Sequence, residues 1–383
     1  MLIHRAKWVV ADPWTVIENG WVLEDYGRIL EIGQGREVSG HRILDHGADS
    51  ALIPGLVNAH THLELSALKG RAALTGNFLD WVRSVIMLRD QEGRQNLENA
   101  ASEALSGLEN IGTALVAEVS TLGITRKLFE KSKIFGIWFK EYLGSGPLAC
   151  PEITTHGLKR YFTAGHGPHT TTPFLLGGLK KNATGADALF TLHLAESVLE
   201  DEFIRNGTGE WAGFLDERGL DISSWKPCGK SPVAHCAELG ILDGNTLAVH
   251  LVFADKNDLE IIAGKGVFVC ICPRSNMALH KRLPDIDTML ALGIRPCLGT
   301  DSLACVDSLD IMDEMAYIFR HFAGINPADI FAMATINGAA AMGFSKCFGR
   351  IAKGSPAVMR VVPVLAKKPG SVVEEIVAAG GTL

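Results

Sequence analysis

The first 149 residues contain no cysteine, and the eight that come later, from Cys150 to Cys347, include no Cys-x-x-Cys pair. That excludes a disulfide framework and fits a reducing compartment. A basic excess is also missing: 36 Lys and Arg stand against 43 Asp and Glu, a net charge of −7. A protein that grips a nucleic-acid backbone needs the opposite balance. No apolar run approaches the ~20 residues of a membrane helix. The opening Met1-Leu2-Ile3-His4-Arg5 lacks an apolar signal core and a small-residue cleavage site. The expectation is a cytoplasmic protein with no nucleic-acid or membrane partner. Internal repeats and low-complexity tracts are absent.

What is present is a chain of 383 residues, 47 % apolar and 21 % charged, enough to bury a large core. Residues 1–50 read as short strands separated by glycine turns. They are too few to cover a core alone. Strand-like runs at 357–364 and 371–377 supply partners, so the two ends are expected to meet in a composite β-sandwich, 1–50 plus 346–383. Between them, strand candidates at 51–60, 114–119, 134–142, 161–165, 189–194, 247–252, 267–272 and 295–300 alternate with helical patterns, among them 77–89, 198–218, 311–322 and 327–342. Eight such alternations over 51–345 predict an α/β fold, a (β/α)8 TIM-like barrel. The polar stretch 220–232 reads as an inserted loop.

Barrel chemistry sits at the C-terminal ends of the strands. The first run ends in His60-Thr61-His62, and side chains two apart on a strand face one way. Later ends offer His169, His193, Glu196, His250, Arg274, Ser275, Asn276 and Asp301. Three imidazoles and a carboxylate suit one divalent ion with a water on an open position. His60, His62, His193 and Asp301 are therefore the expected metal ligands. Zinc is the default for such a set, and iron(II) or manganese also fit. Glu196, three residues after His193, is placed to shuttle a proton. His250 either ligates the metal or orients the water, and orientation is preferred. Asp301 doubles as a proton acceptor. His4, His41, His46, His280 and His321 fall outside strand ends and are expected on the surface or behind the site. The His235–Glu238 pair has no preceding strand and is set aside.

Pro-Gly-Leu-Val-Asn-Ala-His-Thr-His at 54–62, His-Leu-Ala-Glu at 193–196, His250, and Gly-Thr-Asp-Ser at 299–302 resemble the amidohydrolase superfamily, in its triazine-hydrolase and cytosine-deaminase-like group. Cys-Pro-Arg-Ser-Asn at 272–276 and His-Thr-His-Leu-Glu-Leu-Ser at 60–66 are similar to the aminodeoxyfutalosine and S-adenosylhomocysteine deaminases. The resemblance implies a metal-dependent hydrolase that deaminates an adenine-type nucleoside and releases ammonia. It also implies substrate contacts from Glu64, His169, Arg274, Ser275 and Asn276, with Arg274 suited to a substrate carboxylate. Phe78 and Trp81 either cover the base or pack in a helix core. A homodimer is common in this group. Lys140, one strand earlier than the carbamylated lysine of binuclear members, reads as structural or substrate-facing. Other activities left open are guanine or cytosine deamination, chlorohydrolysis, cyclic amide hydrolysis, and a silent barrel used for binding.

Overall fold

The computed structural model describes residues 1–36, 40–74, 76–146 and 153–380. Strands β1 (Leu2–Asp12), β2 (Thr15–Asp25), β3 (Arg28–Gln34), β4 (Arg42–Asp45) and β5 (Ser50–Pro54) come first. Next are β6 (Leu56–Thr61), β7 (Thr113–Ser120), β8 (Phe135–Tyr142), β9 (Thr154–His156), β10 (Lys159–Gly165), β11 (Phe190–Leu194), β12 (Thr246–His250), β13 (Phe268–Ile271), β14 (Cys297–Leu298) and β15 (Met359–Pro363). The helices are α1 (Phe78–Glu92), α2 (Arg94–Asn110), α3 (Arg126–Lys131), α4 (Pro173–Gly185), α5 (Val198–Asn206), α6 (Glu210–Glu217) and α7 (Pro232–Glu238). They continue with α8 (Lys256–Lys265), α9 (Pro273–His280), α10 (Ile286–Ala291), α11 (Ile311–His321), α12 (Pro327–Met333), α13 (Ile336–Ala341) and α14 (Pro369–Ala378).

Eight parallel strands run in the order β14-β13-β12-β11-β10-β8-β7-β6, with β9 antiparallel on β10. The open edge closes at the functional end. Thr61 bridges Asp301, the Thr300 N–H donates to the His60 carbonyl, and the His62 N–H donates to the Asp301 carbonyl. Every residue of β6, β7, β11 and β12 is buried, as expected for strands covered on both faces. Among the described residues no helix is long and apolar enough to cross a membrane.

The terminal strands form a second sheet, β15-β5-β1-β2-β3, with β4 also on β1. β15 pairs antiparallel with β5 from Met359↔Pro54 to Pro363↔Ser50, so the two ends of the chain meet. The predicted strand 51–60 is therefore two strands in two sheets. Gly55 is the crossing point: a Cβ there would lie 2.8 Å from the Ala114 Cβ and 2.9 Å from the Gly112 carbonyl oxygen. Only glycine lets the backbones come that close.

The expectation of a strand at 371–377 is wrong, because this stretch lies in helix α14. Its buried residues, Val372, Val373, Ile376 and Val377, match helical spacing, and Pro369 begins the helix. The β-branched residues masked that period. The predicted helix 198–218 is two helices. Gly207, at φ +68°, ends α5, and α6 turns so that Trp211, Phe214 and Leu215 face the barrel mouth. The residues expected at the end of β13 lie in helix α9, with Pro273 in its first turn. That difference redirects several candidate site residues.

Candidate metal centre and active site

The end of β6 delivers His60 and His62 to the barrel axis, and β11 delivers His193. The His60 and His62 Nε2 atoms each lie 3.3 Å from the His193 Nε2. Nitrogens bound to a tetrahedral zinc at about 2.0–2.1 Å would sit about 3.3–3.4 Å apart. The His193 Nδ1–H donates to the His166 carbonyl at 2.8 Å, which leaves the Nε2 lone pair free to ligate. Burial holds the His60 and His62 rings well below the ordinary histidine pKa, so both are neutral. These three residues form a set that can hold a divalent ion.

Asp301 supplies the oxygen side. Its Oδ1 lies 4.0 Å from the His62 Nε2, and its Oδ2 accepts hydrogen bonds from the Ser275 hydroxyl at 2.6 Å and the Cys305 thiol at 3.2 Å. Burial raises its pKa to about 6, although Ser275 opposes the shift. Gly299 lets this strand reach β6, since a Cβ there would lie 2.8 Å from the His60 Cβ.

His250 stands apart from the three ligating nitrogens. Its Nδ1 accepts from the Asn276 amide at 2.9 Å, so its Nε2 carries the proton. That Nε2 lies 3.7 Å from the Glu196 Oε1. Burial lowers the His250 pKa to about 3, keeping the ring neutral. Burial pushes Glu196 up, but contacts that include its hydrogen bond with His280 outweigh it and hold the carboxyl well below the usual range. The Glu200 carboxylate fixes this turn by accepting from the Ala195 and Glu196 N–H groups at 3.0 and 2.8 Å.

The backbone is strained at these strand ends. Ala195, His250, Leu251 and Asp301 all have positive φ, at +49°, +81°, +52° and +59°. Such conformations cost on the order of 1–3 kcal/mol each and persist where the surroundings enforce them. Here Leu251 N–H donates to Leu194 and Phe253 N–H to Ala195.

Above this floor lies a cavity of about 360 Å3. His62, Glu64, His169, His193, Glu196, His250 and Asp301 line it. So do Phe78 and Trp81, whose rings stack 5.8 Å apart on α1. The Glu64 carboxylate already accepts from the Ser120 hydroxyl at 2.6 Å and the Thr121 N–H at 2.9 Å. His169 is buried, and among the described residues its Nδ1 has no hydrogen-bond partner, with the Glu200 Oε1 3.7 Å away.

Three residues expected at the substrate face elsewhere because α9 carries them. The Arg274 guanidinium bonds Asp307 and the Ser308 carbonyl and lies beside Asp313 and Glu314, in a separate depression. Ser275 and Asn276 are fully buried and bind Asp301 and His250 from behind. Lys140 donates to the Thr121 carbonyl and is not among the residues that line the cavity.

Sequence reasoning missed Glu141, the next residue on β8. Its carboxylate accepts from the Thr121 hydroxyl at 2.5 Å, faces His193 Nδ1 at 3.8 Å and lines the cavity. Strand alternation was the available signal, because Lys140 and Glu141 point to opposite faces. His166 also lines the cavity, with its Nδ1 on the Thr170 hydroxyl and burial lowering its pKa to about 4. Two further arginines, Arg89 and Arg218, reach the cavity wall.

Residues 51–381 match the model of the Amidohydrolase family. The 5-methylthioadenosine/S-adenosylhomocysteine deaminase of Pyrococcus furiosus is 26 % identical, covering 90 % of this chain and 82 % of the relative. The aminodeoxyfutalosine deaminase of Nitratiruptor sp. is 28 % identical, covering 83 % of this chain and 80 % of the relative. The crystal structure of Helicobacter pylori aminofutalosine deaminase with methylthio-coformycin superposes with a TM-score of 0.84 at 23 % identity, over 98 % of this chain and 96 % of that one. This last likeness bears on the fold.

Proposed function

Because the chain belongs to the Amidohydrolase family, whose members bind a divalent metal, and is a hydrolase of carbon–nitrogen bonds, we propose that it deaminates an adenine-type nucleoside. The observation that carries this reading is the convergence of the His60 and His62 Nε2 atoms, each 3.3 Å from the His193 Nε2, beside Asp301, with Glu196 in the same cavity. His60, His62, His193 and Asp301 would hold the ion, and an all-nitrogen triad favours zinc. A bound ion supplies a water whose pKa is lowered toward neutrality.

The protein's own groups then handle protons. Asp301 takes one proton from the water, and the His250 Nε2–H orients it. The water adds to the amino-bearing carbon of the purine. Glu196 rests ionised; once the oxygen has added, it takes the remaining proton from that hydroxyl and passes it to the adjacent ring nitrogen. The proton held by Asp301 goes to the amino group, which departs as ammonia.

The cavity also bears on the substrate's tail. Val82, Val85 and Ile86 of α1 and Trp211, Phe214 and Leu215 of α6 make an apolar wall, with Arg89 and Arg218 at it. Such a wall favours a nucleoside with an apolar 5′ substituent over adenosine, and the arginines suit a terminal carboxylate. The test is ammonia release by metal-loaded protein from adenosine, 5′-methylthioadenosine, S-adenosylhomocysteine and aminodeoxyfutalosine. The expected result is release from the 5′-substituted nucleosides, with adenosine slower. Release from none of the four would overturn the proposal.

A further inference from the structure

One eight-residue helix, α9, touches three of the groups that handle protons. Ser275 donates to the Asp301 Oδ2, Asn276 donates to the His250 Nδ1, and the His280 Nε2 lies 3.3 Å from the Glu196 Oε1. Asn276 and His280 are four residues apart and so share one face of the helix. The His280 side chain is only 3 % exposed. Its ring is packed by Phe78, 4.7 Å away, and edge-on by Phe253, 6.0 Å away. Phe253 is in turn tied to the turn before Glu196 through its N–H to the Ala195 carbonyl. His280 stands behind Glu196 and Phe78 and is not among the residues that line the cavity.

We infer that His280 is the positioning residue for Glu196: its Nε2–H anchors Oε1, so that Oε2 is presented to the purine ring nitrogen. The geometry supports this directly. His280 and His250 both address Oε1, at 3.3 and 3.7 Å, while among the described residues Oε2 has no hydrogen-bond partner. A carboxylate with one oxygen pinned has one reactive oxygen in a fixed place, and the cost of aligning it is met before substrate arrives. The packing of Phe78 on His280 also joins this anchor to α1, the helix that walls the cavity. This inference rests on the deaminase reading for its kinetic consequence, but not for the contact itself.

Two measurements separate the two. In the metal-loaded enzyme, His280→Leu keeps the packing against Phe78 and Phe253 and removes the donor, whereas His280→Gln keeps a donor. With 5′-methylthioadenosine, His280→Leu should lower kcat about 10- to 100-fold, the effect of losing a hydrogen bond to a charged group, with KM within about threefold. His280→Gln should recover most of that loss, and metal content and Tm should stay at the wild-type values in both. Methylthio-coformycin, used as a binding probe, should weaken in parallel with kcat. Equal losses in both variants, or a loss confined to KM, would overturn the positioning role. Independently of turnover, the ring N–H resonance of His280 in 15N-histidine-labelled protein, assigned by its disappearance in His280→Leu, should shift in Glu196→Ala. A resonance that does not move would overturn the contact even if no nucleoside proves to be a substrate.

Discussion

The amide nitrogen of Asn276 stands 2.9 Å from the His250 Nδ1, and this contact decides which ring nitrogen carries the proton. With Nδ1 accepting, Nε2–H points toward Glu196 and the cavity. Asn276→Leu should release the ring to the other tautomer and lower kcat about 10- to 100-fold without changing metal content. Steady-state kinetics beside metal analysis checks this. An unchanged kcat would mean that the tautomer is set elsewhere.

Glu196→Gln should reduce turnover by about 10²–10⁴-fold while leaving bound metal intact, since Glu196 lies outside the ligating triad. Single-turnover ammonia release with metal quantified is the measurement. Loss of metal in this variant would place Glu196 among the ligands instead.

Removal of metal should lower the thermal transition. The site gathers three buried imidazoles and a buried carboxylate, groups whose burial a cation among them would offset. Chelation and then calorimetry should show a drop in Tm that returning zinc reverses.

Glu314, which is outside the ligand set, gives a pH signature of its own. Burial pushes its carboxyl up to about 8, although Arg274 opposes this. A folded pKa above the unfolded value means that its contribution is complete below the ordinary carboxyl range and is lost as pH rises through about 8. Glu314→Gln should therefore flatten the fall in Tm between the ordinary carboxyl range and a pH of about 8. Parallel profiles for wild type and variant would contradict the assignment.

Gly55→Ala should destabilise the junction of the two sheets, because the new Cβ meets Ala114, Gly112 and Val358 within 3 Å. The expected loss is about 1–3 kcal/mol by urea titration, typical of overpacking.

Much of this site was readable in the sequence because two rules apply along the chain. Strand periodicity puts His60 and His62 on one face, and barrel topology sends every strand end to one rim. Those rules bring His60, His62, His193, Glu196, His250 and Asp301 together without knowledge of packing. They fail where side-chain direction is set by the element after the strand. Arg274, Ser275 and Asn276 looked like rim residues after β13, but Pro273 starts a helix there and turns them away from the cavity. Lys140 drew attention by its charge, while its neighbour Glu141 faces inward. Val372, Val373, Ile376 and Val377 carry strand-forming side chains at helical spacing, and the spacing prevails. His280 was expected on the surface or behind the site, and its contact with Glu196 was not readable because helix α9, not a strand end, sets its direction.

The most direct test is metal stoichiometry in purified wild-type protein and in His193→Ala. The account predicts close to one equivalent of a divalent ion in the wild type, zinc by preference, and little in the variant, with both proteins folded. A full equivalent retained by His193→Ala, or two equivalents in the wild type, would contradict the single centre between β6, β11 and Asp301.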